Sequence, residues 1–266
     1  MQILETDINI TALPAFSDNY IWVLASNKMN SIYVVDPGDA KPVLNWLNKE
    51  QLPLKGILIT HHHADHVGGV NELLNHCNVP VFGPKDSPAR CVTHPLEEGD
   101  TIECLGLQLN VLSVPGHTLD HIAYFSGPHN DQSPILFSGD TLFAGGCGRL
   151  FEGTAEQMYV SLEKLSSLPD QTKVFCGHEY TISNLLFAKA VEPDNQHIQS
   201  RIETDKLRPG TGIPTLPSTI GIEKLTNPFL RAEEPSVASA VLSKTDENCD
   251  EPIRIFGALR RWKDQF

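Results

Sequence analysis

The apolar run Lys55-Gly56-Ile57-Leu58-Ile59-Thr60 empties, with no spacer, into His61-His62-His63-Ala64-Asp65-His66. The run reads as a short buried strand. The loop after it crowds four histidines and an aspartate into six residues, and such a cluster is costly to desolvate without a counter-ion. In an extended chain alternate residues share a face, so His61 and His63 can grip one ion while His62, between them, points away. The turn that follows brings Asp65 and His66 toward a second ion. One loop thus offers half of two metal sites, and any fold for this chain must deliver the other half from elsewhere.

Three further donors lie in strand-to-loop settings: His117 in Val-Pro-Gly-His-Thr, Asp140 in Ser-Gly-Asp-Thr and His178 in Cys-Gly-His-Glu-Tyr. Each follows an apolar run and a glycine, as expected where a strand delivers a side chain to an exposed edge and the backbone turns closely past it. Five histidines and two aspartates exceed the needs of one tetrahedral ion, whereas two ions sharing Asp140 use all seven. Closed structural zinc sites are usually cysteine-rich, so a His/Asp set with positions left for water reads as catalytic. Two divalent ions, two carboxylates and a bridging hydroxide leave the centre singly positive, attractive to anions and electron-rich carbonyls. His76, His94, His129 and His197 stand alone and are read as surface or satisfied core residues.

Around these donors, short β-rich runs alternate with a few amphipathic helices. SIYVVDPG ends a strand in a Pro-Gly turn, and AKPVLNWLNKE carries Val43, Leu44 and Leu47 at helical spacing. VGGVNELLNHC reads as a helix, VPVFG as a strand, and TIECLGLQLNVLSVPG as a hairpin bent at its Leu-Gly. HIAYFSG, SPILFSGD and KVFCGH add strands, and Thr154 with Gln157 marks a capping-box start for TAEQMYVSLEKLSSL. Mixed α/β layers are predicted. After His178, TISNLLFAKAVEP, NQHIQSRIETDKLR, PSVASAVLSK and PIRIFGALRRWKDQF are helical patterns broken by RPGTGIPTLPSTIG. A smaller helical domain is therefore expected from about residue 179.

Composition narrows the partners. A net charge of -13 repels polyphosphate, so nucleic acid is not expected. No stretch approaches the roughly 20 apolar residues of a membrane helix, and the acidic start MQILETDINI lacks the basic n-region and apolar core of a secretory signal. A soluble cytoplasmic protein, working as a monomer, is expected. Six cysteines without CxxC spacing predict reduced thiols instead of a disulfide framework.

THxHxDH, followed by GHT, GDT and GHEYT, resembles the metallo-β-lactamase superfamily. Hydrolases, nucleases and sulfur oxidoreductases share that pattern, so it names no substrate. The segments FSDNYIWVL, GGCGRLFEGT, TNPFLR and the terminal ALRRWKDQF resemble the glyoxalase II family, and the likeness runs from about residue 14 to the last residue. It implies an αββα sandwich over residues 1–178 as catalytic domain and a helical glutathione-binding domain over 179–266. The implied reaction is hydrolysis of S-D-lactoylglutathione to glutathione and D-lactate by a metal-bridging hydroxide, the second step of methylglyoxal detoxification. Two divalent ions are implied, zinc first, with iron or manganese suited to the same donors. By the same resemblance His61, His63, His117 and Asp140 hold one ion, and Asp65, His66, Asp140 and His178 the other, Asp65 also orienting the hydroxide.

For the glutathione moiety the resemblance points to Arg149, Phe151, Tyr180, Arg260 and Lys263. Arg260 and Lys263, three apart on a predicted helix, share a face and suit carboxylates, while Arg261 is read as a solvated helix end. Two positions depart from several relatives, which carry lysine at Arg149 and tyrosine at Phe151; phenylalanine packs but donates no hydroxyl hydrogen bond. The rival within the fold is a glutathione-dependent persulfide dioxygenase using one iron. A complete second ligand set and the basic C-terminal helix speak against it.

Overall fold

The computed structural model describes residues 8–129, 132–207, 214–244 and 251–266. The expectations for the first seven residues, for residues 208–213 of the Pro/Gly-rich segment and for Cys249 lie outside the described residues. Two compact units interleave along the chain, one of Met1–Ser113 and Asp120–Gly139, the other of Val114–Leu119 and Asp140–Phe266.

In the first unit, β1 (Asn9–Ala15), β2 (Asn19–Ser26), β3 (Ser31–Val35), α1 (Ala40–Glu50), β4 (Leu54–Leu58), α2 (Ala64–Val67), α3 (Val70–His76), β5 (Val81–Pro84) and β6 (His94–Leu96) follow one another. Their strands form one sheet in chain order, β1 to β3 antiparallel and β3 to β6 parallel. Parallel pairing needs crossovers, and α1 and α3 supply two of them, burying Val43 and Leu73 with Val34, Ile57 and Val81. The Asp39 carboxylate caps α1 by accepting from the Lys41 amide at 2.9 Å. The predicted helix over VGGVNELLNHC divides, because α3 begins only at Val70. At Gly69 a Cβ would meet the Ala40 nitrogen at 2.4 Å and the Pro37 oxygen at 2.7 Å, so two backbones pass there at a distance that only glycine permits.

Four more strands complete this unit: β7 (Thr101–Cys104), β8 (Leu107–Ser113), β9 (Ile122–Ser126) and β10 (Ile135–Gly139), each antiparallel to the next. The hairpin turns at Leu105 and Gly106, with φ of 54° and 82°, where the sequence predicts it. Tyr124 on β9 is fully buried and donates its hydroxyl to the Ile59 carbonyl at 2.8 Å, tying this sheet to the end of β4. The Ile122 amide donates to the Thr60 carbonyl at 2.9 Å beside it.

The second unit carries β11 (Leu142–Phe143), β12 (Gly146–Cys147), α4 (Ala155–Ser166), β13 (Lys173–Cys176), α5 (Thr181–Val191), α6 (Gln196–Lys206), β14 (Ser218–Thr219), α7 (Ile220–Thr226), α8 (Pro235–Lys244) and α9 (Pro252–Asp264). The capping box at Thr154 and Gln157 is present. The sequence reading assigns no helix to α7, whose first two residues close the Pro/Gly-rich break, but Thr219 caps it by accepting from the Ile222 amide. That helix delivers Glu223, which has no solvent exposure, to the β11–β12 turn. Glu223 accepts from the Gly145 amide at 2.7 Å, from Arg201 Nη2 at 2.8 Å and from the Ser218 hydroxyl. Asn227 Nδ2 donates to the Phe143 and Gly146 carbonyls at 3.2 and 2.9 Å, so TNPFLR grips GGCG from one side.

Cys77, Cys91, Cys104, Cys147 and Cys176, the described cysteines, are not joined in disulfides. Burial pushes the Cys147 thiol up to about 11 and the Cys176 thiol up to about 12. No helix among the described residues is long and apolar enough to cross a membrane.

Two substitutions test these ties. Tyr124→Phe leaves a buried carbonyl short of a donor and should cost about 1–3 kcal/mol in urea unfolding. Glu223→Gln leaves Arg201 with only the Asp205 carboxylate, 3.5 Å away, to answer its charge, and should cost about 1–3 kcal/mol by the same measurement.

Candidate metal centre

The histidine loop is ordered from behind by one carboxylate. Asp36 follows β3 with φ of 51° and is 4% exposed. Its Oδ1 accepts from the Thr60 amide at 2.7 Å, while Oδ2 accepts from the Thr60 hydroxyl at 2.7 Å and faces His66 Nδ1 at 3.0 Å. The Thr60 proton is thus committed to Asp36, and the Thr60 oxygen accepts from His61 Nδ1 at 3.0 Å. Both imidazoles are thereby fixed with Nδ1 protonated and with the Nε2 lone pair available to a metal.

Within this first unit the donors gather as the sequence predicts. The ring centroid of His61 lies 4.8 Å from that of His63 and 4.1 Å from that of His66. Asp65 Oδ2 is 3.5 Å from His66 Nε2 and accepts from Asn19 Nδ2 at 2.9 Å. His62 turns aside, its Nδ1 at 2.9 Å from Asp120 Oδ1. His121, fully buried, stacks on His61 with centroids 4.6 Å apart and planes at 16°. Gly139 makes room for it: with φ of 49°, a Cβ there would sit 2.5 Å from Thr60 Oγ1 and 2.7 Å from the His121 ring.

In the second unit a single carboxylate oxygen serves two imidazoles. Asp140 Oδ2 lies 3.5 Å from His117 Nε2 and 3.2 Å from His178 Nε2, and all three residues are 5% exposed. The Arg149 carbonyl holds His117 Nδ1 at 2.8 Å, leaving Nε2 directed at Asp140. Gly148 lets the chain pass: a Cβ would meet the Asp140 carbonyl oxygen at 2.0 Å. Tyr180 stacks on His178 at 4.8 Å and 7°, and Phe143 and Phe151 meet the rings of His178 and His117 edge-on. His61 and His66 engage Nδ1 behind them, His117 and His178 bring Nε2 to Asp140, and Asp65 lies beside His66, a donor set that fits hard or borderline divalent cations.

The residues proposed for glutathione differ in exposure. Arg149 and Phe151 are exposed, and Tyr180 and Lys263 are half-buried. Lys263 Nζ donates to the Ser183 carbonyl at 3.3 Å and lies 5.2 Å from the Phe187 ring. Burial first, then the Arg260 and Arg149 charges, lower its pKa to about 8. Arg260 is only 4% exposed, its guanidinium 4.9 Å from the Phe229 ring, with Nη1 donating to the Cys147 carbonyl at 2.9 Å. Sequence reasoning passes over Asp36, Thr60, Asn19, Asp120 and His121. The turn in VVDPG is legible, but the target of its carboxylate lies 24 residues on.

Comparison with known proteins agrees with this geometry. The metallo-beta-lactamase superfamily model matches residues 17–178, and the model for the hydroxyacylglutathione hydrolase C-terminus matches residues 179–266. The hydroxyacylglutathione hydrolase of Pseudomonas putida (strain GB-1) is 54% identical over 265 residues, covering 97% of this chain and 100% of that protein. The protein of the same name from Photobacterium profundum is 50% identical with the same coverage. Among solved structures, ETHE1 from Myxococcus xanthus superposes with a TM-score of 0.64 at 25% identity, covering 96% of this chain and 98% of that one. TTHA1623 in a di-iron-bound form gives 0.57 at 27% identity, covering 83% and 99%. A helical C-terminal segment of matching family, joined to a metallo-β-lactamase domain with this donor set, places the chain in the hydroxyacylglutathione hydrolase family.

Proposed function

We propose that this chain hydrolyses the thioester of S-D-lactoylglutathione to glutathione and D-lactate, the second step of methylglyoxal detoxification. Its strongest support is 54% identity across the full length to a relative named for hydroxyacylglutathione hydrolysis. Residues 1–178 would form the catalytic domain and 179–266 the substrate-binding domain of a soluble cytoplasmic monomer. His61, His63, His117 and Asp140 would hold one divalent ion, and Asp65, His66, Asp140 and His178 a second, with zinc as the metal. The nearness of one Asp140 oxygen to two imidazoles supports its place as the shared ligand.

When bound, the ions supply Lewis acidity and a hydroxide at neutral pH. Everything else falls to the chain. Asp65, steadied by Asn19, orients the attacking oxygen toward the thioester carbonyl. The sulfur leaves as a thiolate, and a thiol pKa near 8.5 makes that anion tolerable without a general acid. Arg149, Arg260 and Lys263 supply positive charge for the glutathione carboxylates, Tyr180 a hydroxyl and Phe151 a packing face.

Metal-replete protein should hydrolyse S-D-lactoylglutathione, followed as loss of thioester absorbance, and a chelator should abolish the activity. Asp140→Asn should lose at least about a hundredfold in kcat/KM, since even residues behind the ligands cost 10–100-fold, with bound metal falling in elemental analysis. Persulfide oxidation without thioester hydrolysis would instead mark the one-iron rival.

Lys263 sets a pH dependence. Burial and then the Arg260 and Arg149 charges depress its pKa, while Cys147 and Asp264 raise it, leaving it at about 8. The ammonium is present below that pH and lost above it, so KM for the anionic thioester should rise as pH climbs through about 8. In Lys263→Arg, whose charge persists, the rise should flatten.

A further inference from the structure

The last turn of α9 holds a carboxylate where helix electrostatics disfavour one. Asp264 is its final residue, beside the orphan carbonyls and the negative end of the macrodipole. Arg261 and Lys263 in the same turn follow the preference for cations there, so Asp264 needs partners that offset the repulsion. Its Oδ1 accepts from Arg260 Nη2 at 3.0 Å and lies 3.8 Å from Arg149 Nε.

Arg260 depends on that contact. Its buried guanidinium faces the Phe229 ring and the Cys147 carbonyl, neither of which carries a formal charge. The Cys147 thiol, 3.6 Å from Nη1, is no substitute, because burial keeps it protonated at neutral pH. A desolvated cation is stable only when its charge is answered, and Asp264 answers it.

We infer that Asp264 is a positioning residue for substrate recognition: one carboxylate oxygen pins the Arg260 fork and holds Arg149 beside it, assembling the cationic patch before glutathione arrives. For its substrate this rests on the thioester reading above. Simple charge counting predicts the reverse, since removing a negative charge beside three cations should strengthen the hold on an anion. The two expectations have opposite signs.

The test compares wild-type, Asp264→Asn and Asp264→Glu holoenzymes by KM and kcat with S-D-lactoylglutathione and by calorimetric Kd for glutathione. Asp264→Asn should raise KM and Kd together by roughly three- to tenfold, the scale of a charge-assisted contact. Its kcat should stay within about twofold, and Asp264→Glu should restore most of the affinity. An unchanged or lowered KM in Asp264→Asn, or a fall in kcat with KM intact, overturns the inference. If the wild type hydrolyses no glutathione thioester, the thioester reading fails while calorimetry still decides the role of Asp264. A wild type that binds no glutathione overturns both.

Discussion

The Asp36 carboxylate is the contact from which the first unit's half of the centre is built. It sits 4% exposed at the end of β3 and has to be satisfied where it lies. Thr60 satisfies it with both an amide and a hydroxyl, and His66 with a ring nitrogen. Because the Thr60 hydroxyl can donate only once, its oxygen turns to His61. A single anion thereby fixes the tautomers of two imidazoles whose side chains are almost wholly buried. Its neighbours follow from the same demand: His121 stacks behind His61, and Gly139 must lack a side chain for that ring to fit.

The second unit solves the same problem with backbone. His117 takes its orientation from the Arg149 carbonyl, and the hairpin that carries Arg149 onward is gripped by Glu223 and Asn227. A charge buried as deeply as Glu223 is affordable only because Arg201 and the Gly145 amide meet it. The residues around Asp140 therefore inherit their positions in part from α7 and from the turn after it.

Much of this is legible in the sequence because metal donors announce themselves locally. His61 to His66 crowd one loop, and the GHT, GDT and GHEY contexts repeat one strand-to-turn grammar. Helix α1 over Ala40–Glu50 matches its periodicity residue for residue. The illegible parts have non-local causes. Asp36 looks like turn punctuation until Thr60 is folded against it. The helix at Ile220–Thr226 hides behind the prolines and glycines before it, because Thr219 supplies its start where composition signals a break. Arg260 reads as a glutathione-binding cation sharing a helix face with Lys263, and its burial against the Phe229 ring is not visible in that pattern.

The burial of Cys147 and Cys176 has a chemical consequence for a protein whose proposed product is a thiol. Exchange with a disulfide requires a thiolate and an open approach to its sulfur. Thiols held near 11 and 12 supply almost no thiolate at neutral pH, and both are buried. Glutathione disulfide accumulating around the protein under oxidative load therefore finds these two sulfurs inert to mixed-disulfide formation. The hairpin that carries Cys147 keeps its geometry whatever the redox state of the glutathione pool.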